Sequence, residues 1–306
     1  MHDLIIIGGG PAALSAAVYA LGKQLDILVI YEQLGGKAGT QQLLHGQSDA
    51  CATPGAEVAH LLQREIAAQL ERTVCDRVIS LSTIDTGFQI ATQEHGTYQS
   101  RAAIVATGTT PRMLDLPGAR ELLGQGLGYS VTTHAHLVAG KQVAVIGTTT
   151  RALRGAAELA RTAARVYLVA PDAAGLDTPM AHKLQQRPNI EALAGYHIKA
   201  VNGPFNVESL IVERGDEHRW LRVDAAFVDL GLVPNSRIVR QLVQIDLAGF
   251  ICVDERNATS LAGLFAAGDV TTGFGEQIFI AIGDGARAAL SAYDYLLAQG
   301  PVSVTG

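Results

Sequence analysis

Residues 3–7, Asp-Leu-Ile-Ile-Ile, form a short apolar run that breaks into Gly8-Gly9-Gly10-Pro11-Ala12-Ala13. A small-residue segment, Leu14 to Leu21, follows, and a second apolar run from Leu25 to Tyr31 ends on Glu32. Apolar runs of this length bounded by turn signals read as buried strands, and the alanine-rich segment between them reads as a helix. Strand, glycine turn, helix, strand and acid in this order are the fingerprint of a dinucleotide-binding unit. Gly8 permits the tight turn, Gly10 lets the backbone approach a pyrophosphate, and Ala13 lets the helix pack close on the sheet. The free N–H groups at the helix start, with Pro11 and Ala12 in the first turn, suit phosphate oxygens. Glu32, just after Tyr31, can accept hydrogen bonds from both hydroxyls of an adenosine ribose and would repel a 2′-phosphate.

The same pattern recurs further along. Residues 141–147, Lys-Gln-Val-Ala-Val-Ile-Gly, read as a strand entering a turn, 151–164 as a helix and 166–170 as the next strand. Strands are predicted around 197–201, 207–213 and 221–230, with a turn at Asn202-Gly203-Pro204. The stretches 249–254 and 264–269 read as strands again, and a final helix is predicted from Ile278 to Ala298. The expected architecture is α/β with two Rossmann-like, three-layer ββα domains, the second inserted into the first. Residues 1–112 and 243–306 would form the discontinuous first domain and 113–242 the insertion.

Composition narrows the class. At 306 residues the chain suffices for two domains, and 48% hydrophobic with 17% charged residues and 33 glycines fits a soluble α/β protein. The net charge of −6 argues against nucleic acid or an anionic membrane as partner. Leu4 to Leu21 is expected to be neither a signal peptide nor a membrane span, because it lacks a basic flank and the glycines and Pro11 interrupt it. Three scattered cysteines, Cys51, Cys75 and Cys252, do not make a disulfide framework, which points to a reducing cytoplasm. Cys75 and Cys252 read as buried strand positions. No spaced ligand set suggests a metal, and no Gly-x-Ser-x-Gly elbow suggests a hydrolase.

Three more motifs add specificity: 103–108, Ala-Ile-Val-Ala-Thr-Gly; 227–235, Phe-Val-Asp-Leu-Gly-Leu-Val-Pro-Asn; and 264–269 ending in Gly268-Asp269, followed by Gly275-Glu276-Gln277-Ile278. Together with the fingerprint, these make the chain resemble the pyridine nucleotide–disulfide oxidoreductases, specifically their low-molecular-weight thioredoxin reductase-like branch, over nearly its whole length. The resemblance implies FAD as cofactor. Gly8, Gly10, Pro11, Ala12 and Ala13 would then cradle its pyrophosphate, and Tyr31 and Glu32 would face the adenosine ribose. Gly36-Lys37-Ala38 would replace the branch's Gly-Gly-Gln turn, with Lys37 in place of glutamine. The chain near Asp76, Arg77 and Val78 would meet the adenine, and Ala106, Thr107 and Gly108 would pass close to the cofactor. Asp269, after Gly268, would accept from a ribityl hydroxyl, and Glu276, Gln277 and Ile278 would open a helix towards the flavin edge. A homodimer formed through the FAD domains is also implied; the small-residue helix from Ala281 to Ala292 and the segment 56–70 read either as contributors or as core packing.

Two features depart from that branch. The position of its Cys-x-x-Cys pair is held by Ser130-Val131-Thr132-Thr133, and hydroxyls cannot cycle between dithiol and disulfide. The second glycine turn reads Gly147-Thr148-Thr149-Thr150-Arg151-Ala152, with threonine where a nicotinamide dinucleotide needs close backbone approach. The following strand ends Ala170-Pro171-Asp172, with no arginine to clamp a 2′-phosphate. Arg151 and Arg154 read as a solvated helix face, or with the threonine hydroxyls as a seat for some other phosphate.

Three functional readings follow. The first is an FAD oxidoreductase fed by a ferredoxin, a flavodoxin or a second flavin; it is similar to thioredoxin reductase-like branches that draw on ferredoxin, although those keep a dithiol. The second is a flavoenzyme acting directly on a small substrate, with His134 as proton donor and His136 as its neighbour. In either, Cys51 is the cysteine placed to take a redox role. The third is a flavin-carrying sensor or interaction protein without catalysis.

Overall fold

The computed structural model describes residues 1–39, 55–131 and 135–300. His134 and Cys51 lie outside them. In chain order the strands are β1 (His2–Ile7), β2 (Ile27–Tyr31), β3 (Thr73–Cys75), β4 (Val78–Ile84), β5 (Gly87–Thr92), β6 (Thr97–Val105) and β7 (Thr109–Pro111). Then come β8 (Leu127–Gly128), β9 (Gln142–Ile146), β10 (Arg165–Ala170), β11 (Ile190–Ala194), β12 (His197–Asn202), β13 (Ser209–Arg214) and β14 (Glu217–Arg222). The last are β15 (Ala225–Val228), β16 (Leu232–Pro234) and β17 (Leu264–Ala266). The described α-helices are α1 (Pro11–Gly22), α2 (Ala56–Ala67), α3 (Thr150–Leu159), α4 (Pro179–Gln185) and α5 (Ile278–Ala298).

Two compact units emerge. One holds residues 1–39, 55–110 and 233–300, the other 111–232. The chain therefore returns to the first unit at Val233, earlier than the 243 expected from sequence. The reason is packing: Val239 and Val243 are buried with Ile5, Ile7 and Leu28 on the first unit's sheet. The two chain crossings, β7 and β16, pair with each other. Asn235 staples them, its backbone N–H donating to the Gly108 carbonyl at 2.9 Å and its side-chain amide to the Thr107 carbonyl at 2.9 Å.

In the first unit β3, β2, β1, β6 and β17 lie side by side, all parallel. The start of β6 instead pairs antiparallel with β5, which pairs with β4. Alternation along β1 explains the layers. Leu4 and Ile6 are buried with α1 and α5, while Ile5 and Ile7 are buried against Leu81, Phe88 and Ile90 of the antiparallel strands. The second unit repeats the plan, with β11, β10, β9, β15 and β8 parallel and β12, β13 and β14 antiparallel. Val143 and Val145 face α3, whereas Ala144 and Ile146 face Leu210, Val212 and Leu221.

Two sequence-based strands are redrawn. The run 221–230 is split between two sheets, because the Asp224 carboxylate accepts from the Gln142 N–H at 2.8 Å and draws the chain across to β9. The stretch 249–254 is not a strand. Asp246 accepts from the N–H groups of Ala248 and Phe250, and the turn it makes leaves Ile251 with only isolated bridges to Ile245 and Thr271. Cys252 is consequently half-buried, and Cys75, last residue of a three-residue edge strand, is exposed. Among the described residues no helix is long and apolar enough to cross a membrane.

Candidate functional site

The first glycine turn is built by close backbone packing. A Cβ on Gly8, at φ +129°, would stand 2.2 Å from the Ala106 carbonyl oxygen, so only glycine lets the end of β1 lie against the end of β6. Gly10 is different. It is the N-cap of α1, carries no side-chain cap, and a Cβ there would project into open space. Pro11 supplies the first helical position, where its missing N–H costs nothing. Ala12 and Ala13 are buried, and Gly285 of α5 lies so close that a Cβ there would touch the Ala12 carbonyl oxygen at 2.0 Å.

Other predicted residues gather at the same end of the sheet. The Gly35 N–H donates to the Gly9 carbonyl at 2.7 Å, and a Cβ on Gly36 would lie 2.9 Å from the Gly10 Cα. Lys37 and the buried Ala38 follow in a short 3-10 turn. The Lys37 ammonium donates to Thr109 Oγ1 at 2.7 Å and to Asp269 Oδ2 at 2.8 Å. Gly268 packs against Ala12 and Ala281, which brings the Asp269 turn up to the first turn of α5. Gln277 is the N-cap of that helix, Ile278 its first residue, and Glu276 is exposed just before it.

Tyr31 closes β2, and Glu32 beyond it is exposed, its carboxylate 3.3 Å from the Arg77 guanidinium. Val78 opens β4 next to Arg77. Asp76 anchors this segment. Burial alone would raise its pKa, but the N–H groups of Glu94 and His95, the His95 ring and the Thr92 hydroxyl hold it well below the usual carboxylate range. An uncapped helix start, an open Gly10, an exposed acid after β2 and Asp269 at the sheet end are the donors and acceptors that FAD requires, and the residues fit it.

The sequence did not disclose the partners beside Asp269. Asp284 of α5 lies next to it, with the Arg287 guanidinium 3.3 Å away. Burial pushes the Asp284 carboxyl up, Arg287 and the Gly268 N–H oppose that, and Asp269 adds to it. Along α5, Ala281, Gly285, Ala288, Ala289 and Ala292 are buried, the alanines in one core with α1. Exposed apolar residues of the two helices are Val58 and Leu61 of α2 and Phe279, Ile280, Leu290 and Leu297 of α5.

In the second unit the glycine turn is made the same way and then filled. A Cβ on Gly147, at φ +121°, would stand 2.0 Å from the Asp229 carbonyl oxygen. Thr149 is the N-cap of α3, and its Oγ1 accepts from the Ala152 N–H at 3.0 Å. The same hydroxyl donates to Asp229 Oδ1 at 3.0 Å, and Arg151 Nε donates to Asp229 Oδ2 at 2.6 Å. Arg151 is therefore tied down rather than solvated, and Asp229 is buried. Arg154 has a partner too but is exposed, as a solvated helix face requires. Val131 is buried against Gly155 of α3.

The pyridine nucleotide-disulphide oxidoreductase family matches residues 2–285. A Pseudomonas aeruginosa protein, an alkyl hydroperoxide reductase subunit, is 30% identical over 305 residues, covering 96% of this chain and 58% of that protein. A Staphylococcus aureus protein of the same name is 30% identical, covering 97% and 59%. The chain thus spans under two thirds of the length of these relatives. Among solved structures, a Giardia duodenalis thioredoxin reductase is 26% identical with TM-score 0.83, covering 97% of this chain and 99% of that one. A Streptococcus pyogenes thioredoxin reductase shares the fold at 24% identity with TM-score 0.84 and the same coverage. The chain belongs to the pyridine nucleotide-disulphide oxidoreductases, as a thioredoxin reductase-like member of this family of flavin oxidoreductases.

Proposed function

We propose that the protein is an FAD oxidoreductase that takes electrons from a donor other than NADPH or NADH: a ferredoxin, a flavodoxin or a second flavin. One observation carries this reading, the contrast between the two turns. Gly10 leaves the start of α1 open, whereas Thr149, Arg151 and Asp229 join across the start of α3. A nicotinamide donor must be held by its diphosphate at such a turn to reach reacting distance. Bound FAD supplies the two-electron chemistry; the chain supplies the phosphate cradle at Gly8 to Ala13, a ribose acceptor at Glu32 and a polyol acceptor at Asp269. With Ser130 to Thr133 in place of a Cys-x-x-Cys pair, the protein passes no electrons to a thioredoxin-type disulfide by a dithiol relay. The reading places it in the cytoplasm as a homodimer.

Anaerobic stopped-flow mixing of the flavin-loaded protein tests this. Reduced ferredoxin or flavodoxin is expected to bleach the flavin band, while NADPH and NADH leave it unchanged on the turnover timescale. A positioning loss of ~4 kcal/mol corresponds to about a thousandfold in kcat/KM. Rapid, saturable bleaching by either nicotinamide at sub-millimolar concentration would overturn the reading.

A further inference from the structure

The two units are built alike, so their turns can be compared position by position without reference to any other protein. Ile7 pairs with Val105 and Ile146 pairs with Val228, which makes Gly8 equivalent to Gly147, Gly10 to Thr149 and Ala12 to Arg151. The residue after Val105 is Ala106 and the residue after Val228 is Asp229, and each presents its carbonyl to the turn glycine. Three equivalent positions therefore change from Gly, Ala and Ala to Thr, Arg and Asp. The three larger side chains are bonded to one another: Thr149 Oγ1 to Asp229 Oδ1 at 3.0 Å, and Arg151 Nε to Asp229 Oδ2 at 2.6 Å.

We infer that Asp229 is the specificity-determining residue of the second unit, its carboxylate standing as an internal anion at the start of α3 and excluding dinucleotide diphosphates. This inference rests on the proposed function and explains how the exclusion is made. Electrostatics give the reason. The start of α3 attracts an anion through its free N–H groups and dipole. Asp229, only 3% exposed, already provides that charge, and Arg151 neutralises it. An incoming diphosphate would meet a buried carboxylate, a branched Thr149 and an arginine already engaged. Arg151 Nη2 is buried without a hydrogen-bond partner among the described residues. Asp229 holds the guanidinium through Nε alone, so removing the carboxylate frees Nε beside the unpartnered Nη2 and gives a phosphate oxygen two donors.

The test uses the FAD-saturated protein, so that the first unit cannot take up the probe, with ADP and NADH titrated calorimetrically. Wild type and Arg151→Ala are expected to bind neither, because the carboxylate remains in both. Thr149→Gly/Asp229→Ala, which opens the turn and frees Arg151, is expected to bind ADP and NADH at least tenfold more tightly than wild type, with Asp229→Asn between the two. Asp229→Asn is isosteric and serves if the double variant fails to fold by circular dichroism. Folded variants that gain no affinity would overturn the inference while leaving the proposed function standing. Wild type that binds NADH as tightly as the variants and bleaches with it would overturn both.

Discussion

Lys37 and Asp269, far apart in sequence, meet through a 2.8 Å contact at the end of the first unit's parallel sheet, and the same ammonium holds Thr109 at 2.7 Å. The carboxylate expected to receive a ribityl hydroxyl thus lies beside a lysine. Asp269→Ala is expected to weaken FAD binding by roughly 1.5–3 kcal/mol, the scale of a hydrogen bond to a charged acceptor. Fluorescence titration of the apoprotein measures it, and unchanged affinity would remove Asp269 from the cofactor site.

Gly8 and Gly10 separate folding from binding. Gly10 has φ −78° and open space where a Cβ would go, so Gly10→Ala should unfold within about ±0.5 kcal/mol of wild type as apoprotein. Its FAD affinity should fall about tenfold or more, ~1.4 kcal/mol. Gly8→Ala puts an L side chain at φ +129° and 2.2 Å from a carbonyl oxygen, and should lose stability on the order of 1–3 kcal/mol from the backbone strain alone. Denaturant melts read one effect and flavin titration the other. A Gly10→Ala protein that keeps full affinity would contradict the cradle.

Acid stability should report Asp76. Its folded pKa lies below the unfolded value of about 3.9, so its contribution is complete above that value and is lost as pH falls through the folded one. Asp76→Asn is therefore expected to lower Tm at pH 7, and the gap from wild type should close as pH drops below about 4. A gap that widens on acidification would reverse the assignment.

Dimerisation is expected through the first unit. With the alanine stripe of α5 committed to the core, Val58 and Leu61 of α2 and Phe279, Ile280, Leu290 and Leu297 of α5 are exposed apolar residues of these two helices. Light scattering should give twice the 32.1 kDa chain mass for wild type and a single chain for Leu61→Arg. A wild-type monomer at micromolar concentration would refute the dimer.

Local order along the chain determined much of this protein. The run from Asp3 to Glu32 specified a strand, a turn, a helix and a second strand, because adjacent residues carry both the apolar pattern and the glycine and proline conformations that the turn needs. The final helix from Ile278 to Ala298 was legible for the same reason. Tertiary structure decided what depends on partners distant in sequence. Val239 and Val243 joined the first unit because its sheet offered a buried face, and Asp224 broke a continuous apolar run because the Gln142 N–H lay within reach. Thr149 read only as an obstruction and Arg151 as a solvated helix face, and their joint meaning came from Asp229, brought to them by the pairing of β15 with β9. A side chain's pattern can be read from its neighbours in the chain, whereas its hydrogen-bond partner is chosen by whichever strand the sheet lays beside it.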